Sequence, residues 1–464
     1  MQIRLKQDTF SRVAGSEGVW LCPRKEAGCR VEGGGMLAKL VGQEWKEENE
    51  IYAEMATAYG VPPKEIQDDF SEVVAGLVAA ELLEIEEGYS GIDFFLEHGV
   101  SATVPMWRGG SGKIKIGLKE EREKNKQDFG EPMAFFPDHG IPVELHIDLT
   151  SACTERCVHC YYPEHQPRHL PFGLVEKALR EFRTMEGLTV HLTGGECMLH
   201  PRFEDVCRLC IELGLNIIIL SNLTLCDDKR AAFLKEIAPQ FVNVSLYSMD
   251  AAEHDAITQL SGSWRRTMEA IEKCEKAGVA LRLATPLLKE NRKAFPGLKH
   301  FADERGLHLV PECTITPQTN RNCSNLDHAC SAIELEETLR AAPDIFARGW
   351  EAVKMPGVSD KVCDIGKGRL YLDAEGNYYP CDGMHGFVLG NVRERTVEEI
   401  WKADELIALR RLENRDFGAC ATCEHRPFCK VCPAFNFNAT GDVLKTIPAK
   451  CAVAAVLHRV YGRQ

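Results

Sequence analysis

The sequence predicts an α/β protein built on a parallel sheet, with a small α+β domain before the sheet and a cysteine-rich region after it. Three observations predict this class. Six apolar, strand-like runs alternate with amphipathic, helix-like segments over residues 142–345. Short strand-like runs and helical periodicities share residues 1–88, and seven of the 20 cysteines lie in residues 346–464. Six successive β-then-α units indicate a parallel sheet, either doubly wound or closed into a partial barrel.

Residues 1–88 are predicted to form a winged-helix-like domain. Apolar residues at spacings of three and four predict helices over Glu50–Tyr59 and Ile66–Leu83, separated by a Pro-Pro pair. Residues 89–141 carry a glycine cluster and a run of charged residues, and they are predicted as a linker. The strand-like runs before the helices are Ile3–Val13, Gly18–Cys22 and Cys29–Val31.

The parallel sheet is predicted from six runs rich in branched apolar residues. Helix-like segments such as Leu174–Met185, Phe203–Leu213 and Trp264–Ala277 lie between them. In sheets of this kind ligands bind at the carboxyl ends of the strands, so the residues that follow each strand are the candidates for a site. The six runs are Val143–Leu149, Leu188–Thr193, Leu215–Leu220, Phe241–Leu246, Ala280–Leu287 and Leu307–Pro311.

The charge balance and the length of the apolar runs exclude several classes of partner. The chain has 464 residues, with 55 Lys and Arg against 69 Asp and Glu, giving a net charge of −14. An acidic protein is a poor nucleic-acid binder, because that affinity comes from basic side chains that displace counterions. No apolar run reaches the roughly 20 residues that span a bilayer, and no signal peptide is evident. We therefore expect a cytoplasmic protein with no membrane or nucleic-acid partner, whose cysteines bind metal rather than form disulfides.

The first cysteine constellation directly follows the first predicted strand of the sheet. It reads Cys153-x3-Cys157-x2-Cys160. Three thiolates on one short loop can hold three irons of a four-iron cluster and leave the fourth iron open. Zinc sites use similar spacings, but this loop lies at the carboxyl end of a parallel strand, where such folds carry out chemistry.

This spacing resembles the signature of the radical S-adenosylmethionine (SAM) superfamily. The segment Thr193-Gly194-Gly195-Glu196, which follows the second strand, is similar to the glycine-rich segment of that superfamily. The resemblance implies a partial (β/α)6 barrel in which the first constellation holds a [4Fe-4S] cluster. The open iron would chelate SAM, and one electron from the cluster would cleave it to a carbon radical.

The same resemblance assigns the contacts to SAM. The Glu196 carboxylate would hold the methionine ammonium group and the His159 ring would pack on the adenine, while Arg265 and Arg266 are candidates for the partner of the SAM carboxylate. Cys197 stands where many relatives have proline, and it is a candidate hydrogen donor that quenches a substrate radical. The SAM-contacting residues would be His159, Gly194, Gly195, Glu196, Ser221, Asn222 and Ser245.

The second cysteine constellation resembles the SPASM extension of radical SAM enzymes, with a hairpin-like segment Leu370–Pro380 between its first two cysteines. The resemblance implies two auxiliary [4Fe-4S] clusters, hence three clusters in all. No cysteine lies within residues 354–362, so the nearer cluster would have an open iron that a substrate thiolate could occupy. Structural zinc is the alternative. The nearer set would be Cys363, Cys381 and Cys432, and the outer set Cys420, Cys423, Cys429 and Cys451.

Residues 1–88 resemble the PqqD-like domains that recognise precursor peptides. Such domains bind a leader peptide as an added strand, so that backbone hydrogen bonds supply much of the affinity. A winged helix can also bind DNA, but the helices of this segment are rich in acidic residues, which argues against DNA.

Together these resemblances imply a cytoplasmic oxidoreductase that modifies a ribosomally made precursor peptide and receives electrons from a protein such as flavodoxin or ferredoxin. The expected reaction joins a cysteine sulfur to a carbon in a thioether. Asp382, next to Cys381, is the candidate base, although an exposed turn residue is an equal interpretation. The alternatives are another radical product, such as a C–C or C–O crosslink or an epimerised Cα, and a non-catalytic iron–sulfur or zinc protein that presents peptides.

Overall fold

The computed structural model divides the chain into two compact units. Unit 1 comprises residues 1–143 with 183–188 and 214–216, and unit 2 comprises 144–182, 189–213 and 217–464. The structure describes the whole chain except residues 1, 7–8, 15–16, 24–26, 32–34, 60–69, 71–72, 75–76, 79–81, 86–102, 107–109, 118–132, 134, 163–165, 344–354, 356, 358, 364, 430 and 463–464.

Unit 1 contains two antiparallel sheets, and the bounds of three of its helices fall within the described residues. Its strands are β1 (Gln2–Leu5), β2 (Phe10–Ala14), β3 (Glu17–Cys22), β4 (Ala27–Val31), β5 (Lys46–Glu47), β6 (Leu83–Ile85), β7 (Thr103–Met106) and β8 (Gly110–Gly117). Its helices are α1 (Gly35–Leu40), α2 (Glu48–Tyr59) and α3 (Phe135–Asp138). The strand order is β5-β1-β6 in one sheet and β2-β3-β4-β8-β7 in the other.

The core of unit 1 forms where the apolar face of α2 packs against the first sheet. Ile3 of β1 and Ile51 of α2 are fully buried, together with Trp20 of β3. The predicted run Ile3–Val13 is two strands, β1 and β2, and the predicted helix over Glu50–Tyr59 is α2. The other predicted helix of this unit, over residues 66–83, lies largely outside the described residues.

Part of the predicted linker belongs to the second sheet of unit 1. Strands β7 and β8 pair antiparallel, and β8 also pairs antiparallel with β4, with Val31 opposite Ile114. Isoleucines alternate with lysines over residues 113–116, which is the period of two that a strand shows. This pairing gives β4 a neighbour on its second side, so that it is not left as an exposed edge.

From residue 144 onward the chain forms one sheet of nine strands flanked by helices. The strands are β9 (Glu144–Thr150), β10 (Thr189–Gly194), β11 (Asn216–Ser221), β12 (Phe241–Ser245), β13 (Leu281–Pro286), β14 (His308–Glu312), β15 (Arg369–Leu372), β16 (Asn377–Tyr379) and β17 (Gly390–Asn391). The helices between the parallel strands are α4 (Phe172–Thr184), α5 (Phe203–Glu212), α6 (Asp228–Ile237), α7 (Ala251–Thr258), α8 (Ser263–Ala277) and α9 (Phe295–Glu304). The later helices are α10 (Ala332–Ala341), α11 (Val397–Trp401), α12 (Asp404–Arg411), α13 (Pro433–Thr440) and α14 (Pro448–Tyr461).

The strand order is β14-β13-β12-β11-β10-β9-β15-β16-β17. Strands β9 to β14 therefore stand side by side in chain order, as six consecutive β-then-α units require. Each of the six predicted runs falls on one of these strands. The helices cover the sheet with one apolar stripe each; in α4, for example, Val175, Ala178, Leu179 and Phe182 are buried.

The hairpin that the sequence predicts near Leu370–Pro380 continues the same sheet. Strand β15 pairs parallel with β9, placing Arg369 opposite Glu144 and Tyr371 opposite His146. Strands β16 and β17 then add antiparallel neighbours. The cysteine-rich region is thereby attached to the first strand of the parallel sheet. No helix in the described part of the chain is long and apolar enough to cross a membrane.

Candidate functional site

The loop after β9 carries the first cysteine constellation and is fixed against helix α7. The Arg156 N–H donates to the Thr258 carbonyl and the Val158 N–H to the Ile257 carbonyl, both at 2.9 Å. The Cys160 N–H donates to the Cys157 carbonyl at 3.0 Å, which turns the loop back on itself. The loop is therefore held by backbone contacts that do not depend on its cysteine side chains.

All three cysteines of this loop line one cavity of about 390 Å³. The rest of its wall comes largely from residues at or just beyond the carboxyl ends of the parallel strands, as the sequence predicted for a ligand site. These residues include Thr193, Gly194, Gly195, Ser221, Asn222, Ser245, Tyr247, Thr285 and Glu312.

Burial raises the pKa of the Cys153 thiol to about 12 and that of Cys157 well above its ordinary value. Thiols in this environment keep their protons unless a metal ion replaces them, because burial penalises an isolated thiolate. Iron binding would therefore release protons and would gain three ligands that a rigid backbone already holds on one cavity wall.

Gly194 and Gly195 are glycines because the cysteine loop passes directly against them. A Cβ at Gly194 would lie 2.2 Å from the Thr150 carbonyl oxygen, and one at Gly195 would lie 2.3 Å from the Ala152 oxygen. The Gly195 N–H donates to Thr150 O at 2.8 Å. Because no side chain fits there, this part of the cavity wall is bare backbone that a ligand can approach closely.

The Glu196 carboxylate lies behind the cavity wall. Glu196 is fully buried and is not among the lining residues. Its oxygens accept hydrogen bonds from the Ser221 hydroxyl at 2.9 and 3.0 Å, from the Asn222 N–H at 2.9 Å and from the Met198 N–H at 3.1 Å. The carboxylate therefore meets three protein donors in this structure, and its contact with the methionine ammonium group stays a prediction.

Asn222 connects that carboxylate to the cysteine loop. Its side-chain amide donates to the Thr154 hydroxyl at 2.9 Å and lies 4.0 Å from the Cys153 sulfur. Ser221 and Asn222 both line the cavity, and so does Ser245 at the end of β12. These three predicted residues are therefore on the wall, where they can contact a ligand.

His159 lines the cavity with a neutral ring. Its ring packs edge-on against Tyr247, with centroids 4.9 Å apart, and burial lowers its pKa to about 4. Its Nδ1 is buried and has no hydrogen-bond partner among the described residues. A buried polar atom of this kind needs a partner, and an adenine amino group is one that would fit.

Three further predicted residues lie away from the cavity wall. Cys197 is fully buried outside the cavity wall, and its thiol donates to the Leu220 carbonyl at 3.4 Å. Arg265 is 74 % exposed and lies 4.0 Å from Glu269 on the same helix. The Arg266 guanidinium donates to the Ser261 carbonyl at 3.2 Å. Neither arginine lines the cavity, so neither is in place to hold a SAM carboxylate.

The second constellation separates into the two predicted sets. Cys363, Cys381 and Cys432 pack in one apolar cluster around the fully buried Met384. The pKa of Cys381 is raised by burial and by its two neighbouring thiols. The pKa of Cys429 is raised to about 11 by burial and by its neighbours in the outer set, which are Cys420, Cys451 and Cys423.

Asp382 lies beside Arg369 rather than on the cavity wall, with Oδ1 and Nη1 3.8 Å apart. Burial raises the pKa of Asp382, but interactions with His146 and Arg369 outweigh it and hold that pKa below its ordinary value. Asp148, which was not predicted as a site residue, lines the cavity and is 5 % exposed. Its place in the first predicted strand, shortly before the cysteine loop, was the signal that could have found it.

The comparisons with known proteins agree with this geometry. A model described as the radical SAM superfamily matches residues 147–302, and one described as an iron–sulfur cluster-binding (SPASM) domain matches residues 363–424. The chain carries a radical SAM domain and a SPASM domain. As a radical SAM enzyme, it binds SAM and [4Fe-4S] clusters. The residues fit these groups, because converging thiols, a bare glycine wall and an unpaired His159 Nδ1 meet in one cavity.

Relatives of this radical SAM chain act on two kinds of molecule. An AdoMet-dependent heme synthase of Nitratidesulfovibrio vulgaris is 25% identical over 331 residues, which cover 65% of this chain and 90% of the relative. A PqqA peptide cyclase of Gluconobacter oxydans is 24% identical over 337 residues, covering 69% and 93%.

Solved structures show the same fold. Streptococcus suis SuiB bound to S-adenosylmethionine has a TM-score of 0.59 at 14% identity, covering 97% of this chain and 99% of SuiB. The enzyme anSMEcpe with bound AdoMet has a TM-score of 0.57 at 16% identity, covering 69% and 96%.

Proposed function

We propose that this radical SAM enzyme modifies a precursor peptide and joins a substrate cysteine sulfur to a carbon in a thioether. The observation that carries the proposal is the nearer auxiliary set, in which Cys363, Cys381 and Cys432 converge as three thiols. Two other cysteines that could have supplied a fourth ligand lie elsewhere. Cys330 packs with Leu287 in a different apolar cluster, and Cys323 lies by its own loop, 4.0 Å from the Arg321 carbonyl.

Three cysteine ligands leave one iron of a four-iron cluster for another donor. Iron in such clusters prefers thiolate, so a substrate cysteine is a suitable fourth ligand. Bound there, its sulfur would be deprotonated and held in one place, and it would be kept from quenching a radical. SAM bound at the first cluster supplies the radical chemistry that removes a hydrogen atom from the carbon to be joined.

The charge of the SAM cavity supports a peptide over a tetrapyrrole, the substrate class that the heme synthase name suggests. Among its described lining residues are three acids, Asp148, Glu155 and Glu312, and neither lysine nor arginine. A tetrapyrrole that carries several carboxylates would need cationic partners, since burying unpaired charges is costly. The PqqA peptide cyclase relative and the fold of SuiB, also solved bound to precursor peptide SuiA, support a peptide substrate.

The proposal includes a leader-binding role for the N-terminal domain, three clusters in all, and a flavodoxin or ferredoxin as reductant. A leader peptide would add as a strand to a sheet edge of unit 1. A synthetic leader added in excess should then compete with the full precursor and lower its modification. The uncoupled cleavage of SAM should continue, because the leader would occupy none of the cluster ligands.

The deciding experiment uses anaerobically reconstituted enzyme, a reductant and a cysteine-containing precursor peptide encoded beside the gene. Thioether formation should remove two hydrogen atoms and the free thiol from the peptide, as mass spectrometry and thiol alkylation would show. The precursor alone should change the electron paramagnetic resonance spectrum of the nearer cluster, whereas a matched Cys→Ser precursor should not. Identical spectra with both peptides would favour a C–C or C–O crosslink or Cα epimerisation.

A further inference from the structure

Three titratable side chains occupy one face of strand β9. Side chains of a strand alternate between its two faces, so Glu144, His146 and Asp148 share one face, roughly 6.6 Å apart at each step. Asp148 lines the SAM cavity, whereas the side chain of Glu144 is 27 % exposed at the other end of the strand. One end of this strand face, at Asp148, therefore lies in the cavity, and the other end, at Glu144, lies near solvent.

A second histidine joins this row from the neighbouring strand. His191 of β10 is the register partner of His146, and the two rings stack with centroids 3.9 Å apart and planes at 17°. The Nε2 atoms of both rings face the same carboxylate, at 3.4 Å from Glu144 Oε2 for His146 and at 3.8 Å from Oε1 for His191. Arg369 holds that carboxylate at 3.1 Å. One carboxylate thus faces two imidazoles.

Several other titratable groups surround this row. The Tyr371 hydroxyl of β15 faces the Asp148 carboxyl and lowers its pKa, while Asp373 and Asp382 raise it. The cysteine loop contributes the remaining groups that interact with Asp148, which are Cys160, Tyr161 and Tyr162. Arg369 and Asp382 interact with the histidine pair at the other end. The nearest groups to Asp148 are therefore acidic or neutral, and the charges at the exposed end are mixed.

Thioether formation releases one proton from the substrate. One C–H bond and one S–H bond break, and one C–S bond forms. The hydrogen of the C–H bond leaves as an atom on the adenosyl fragment of SAM, and the electron released when the C–S bond closes passes to an auxiliary cluster, balancing the one that cleaved SAM. Neither the adenosyl fragment nor the cluster takes up the thiol proton. This proton must therefore leave through the protein.

We propose that Asp148 accepts the substrate's thiol proton and that the stacked His146 and His191 pass it to Glu144, from which it reaches solvent. This inference rests on the proposed function. No hydrogen bond joins Asp148 to His146 in the described part of the chain, so the proton passes between them through one water molecule or through the Tyr371 hydroxyl, which faces Asp148. Each imidazole can take a proton at one nitrogen and release it from the other, which suits a relay.

The electrostatics of the row suit transfer from a thiol. Burial and the neighbouring carboxyls raise the pKa of Asp148 to about 8, close to the ordinary value near 8.5 of a cysteine thiol. A proton therefore moves between them with little free-energy change. Burial lowers the pKa of His191 to about 4, and hydrogen bonds from both histidines together with the Arg369 charge hold the pKa of Glu144 well below its ordinary value. Neither group therefore retains the proton, and each releases it in the direction of solvent.

The test measures the number of crosslinks formed per deoxyadenosine released. It uses the cysteine-containing precursor peptide of the experiment proposed above. Asp148→Asn should lower this ratio about 100- to 1,000-fold, and Asp148→Glu should restore part of it.

His191→Gln should lower the crosslinking rate about tenfold with an unchanged KM for the peptide. Added imidazole should restore that rate, because a mobile base can replace the missing relay. Wild-type crosslinking should rise with pH towards pH 8, since Asp148 accepts a proton only when ionised.

The matched control is His200→Gln. His200 is also buried, but its Nε2 meets the Leu170 carbonyl at 2.9 Å, outside the cavity wall, so the ratio should not change. If Asp148→Asn keeps the wild-type ratio while the wild type crosslinks the peptide, the relay is overturned and the proposed function stands. If the wild type crosslinks no peptide, the proposed function fails and the relay fails with it.

Discussion

The Ser221 hydroxyl donates to both oxygens of the Glu196 carboxylate, at 2.9 and 3.0 Å. The Asn222 and Met198 N–H groups satisfy the same carboxylate, which is fully buried. Ser221 and Asn222 line the cavity, so these hydrogen bonds fix two residues of its wall. The Glu196 carboxylate thus anchors the end of β11 to the segment that follows β10.

Replacing Glu196 with Gln should lower the free energy of unfolding by about 2–3 kcal/mol, because buried donors would then face an amide nitrogen. Anaerobic urea denaturation measures this loss. The control is Glu269→Gln on the exposed face of α8, where the side chain is 57 % exposed; that change should cost less than about 0.5 kcal/mol. A Glu196→Gln variant with wild-type stability but much weaker SAM binding would show that Glu196 contacts SAM directly.

Replacing Gly195 with Ala should displace the cysteine loop and lower the iron content and the rate of SAM cleavage by at least about tenfold. The added Cβ would lie 2.3 Å from Ala152 O and 2.9 Å from Cys153 Cβ, closer than unbonded atoms can approach. Iron analysis and deoxyadenosine release measure the two effects. Gly173→Ala is the matched control, because its Cβ would meet nothing within 4 Å. A fully loaded, active Gly195→Ala enzyme would contradict the tight approach of loop and glycine.

Replacing Cys153, Cys157 and Cys160 together with Ala should remove about four of about twelve irons per chain and abolish SAM cleavage. The three thiols line one cavity, so their loss removes every cysteine ligand of one predicted cluster. Iron analysis and deoxyadenosine release provide the measurements. Cys207→Ala is the control, since this buried helix residue should leave the iron count unchanged. SAM cleavage by the triple variant would disprove this ligand assignment.

His254 should make the folded state sensitive to mild acid. It is fully buried, its Nδ1 accepts from the Tyr247 N–H at 3.2 Å, and burial lowers its pKa to about 4. Between about pH 6.5 and 4 the unfolded chain therefore binds a proton that the folded chain does not, so this contribution to stability is complete above pH 6.5 and is lost as the pH falls.

Urea denaturation at pH 7 and pH 5 tests this linkage. The His254→Gln variant should lose about 1–2 kcal/mol less stability than the wild type between these two values. The control His300→Gln, at a side chain that is 73 % exposed, should follow the wild type. Parallel curves for wild type and His254→Gln would mean that His254 does not titrate in this range.

The parallel sheet could be predicted from the sequence because the local pattern of apolar residues indicates its strands and helices. Buried strands such as Leu215–Leu220 are almost continuous apolar runs, and helices such as α4 show an apolar stripe at helical spacing. The cysteine motifs were equally visible, since the spacing Cys153-x3-Cys157-x2-Cys160 is a property of one short segment. Features confined to a few adjacent residues do not depend on how the rest of the chain packs.

The tertiary structure decided everything that depends on partners distant in the chain. Strands β7 and β8, whose residues were predicted as linker, pair with each other, and β8 also pairs with β4 about 85 residues earlier. The Glu196 carboxylate lies behind the cavity wall, where it accepts hydrogen bonds from Ser221 and Asn222 at the end of the next strand. Asp148 faces the cavity and Cys197 does not, since burial and facing direction follow from packing rather than from residue type. The sequence alone therefore determined the chemistry available to this protein, and the packing of distant segments decided which side chains can reach it.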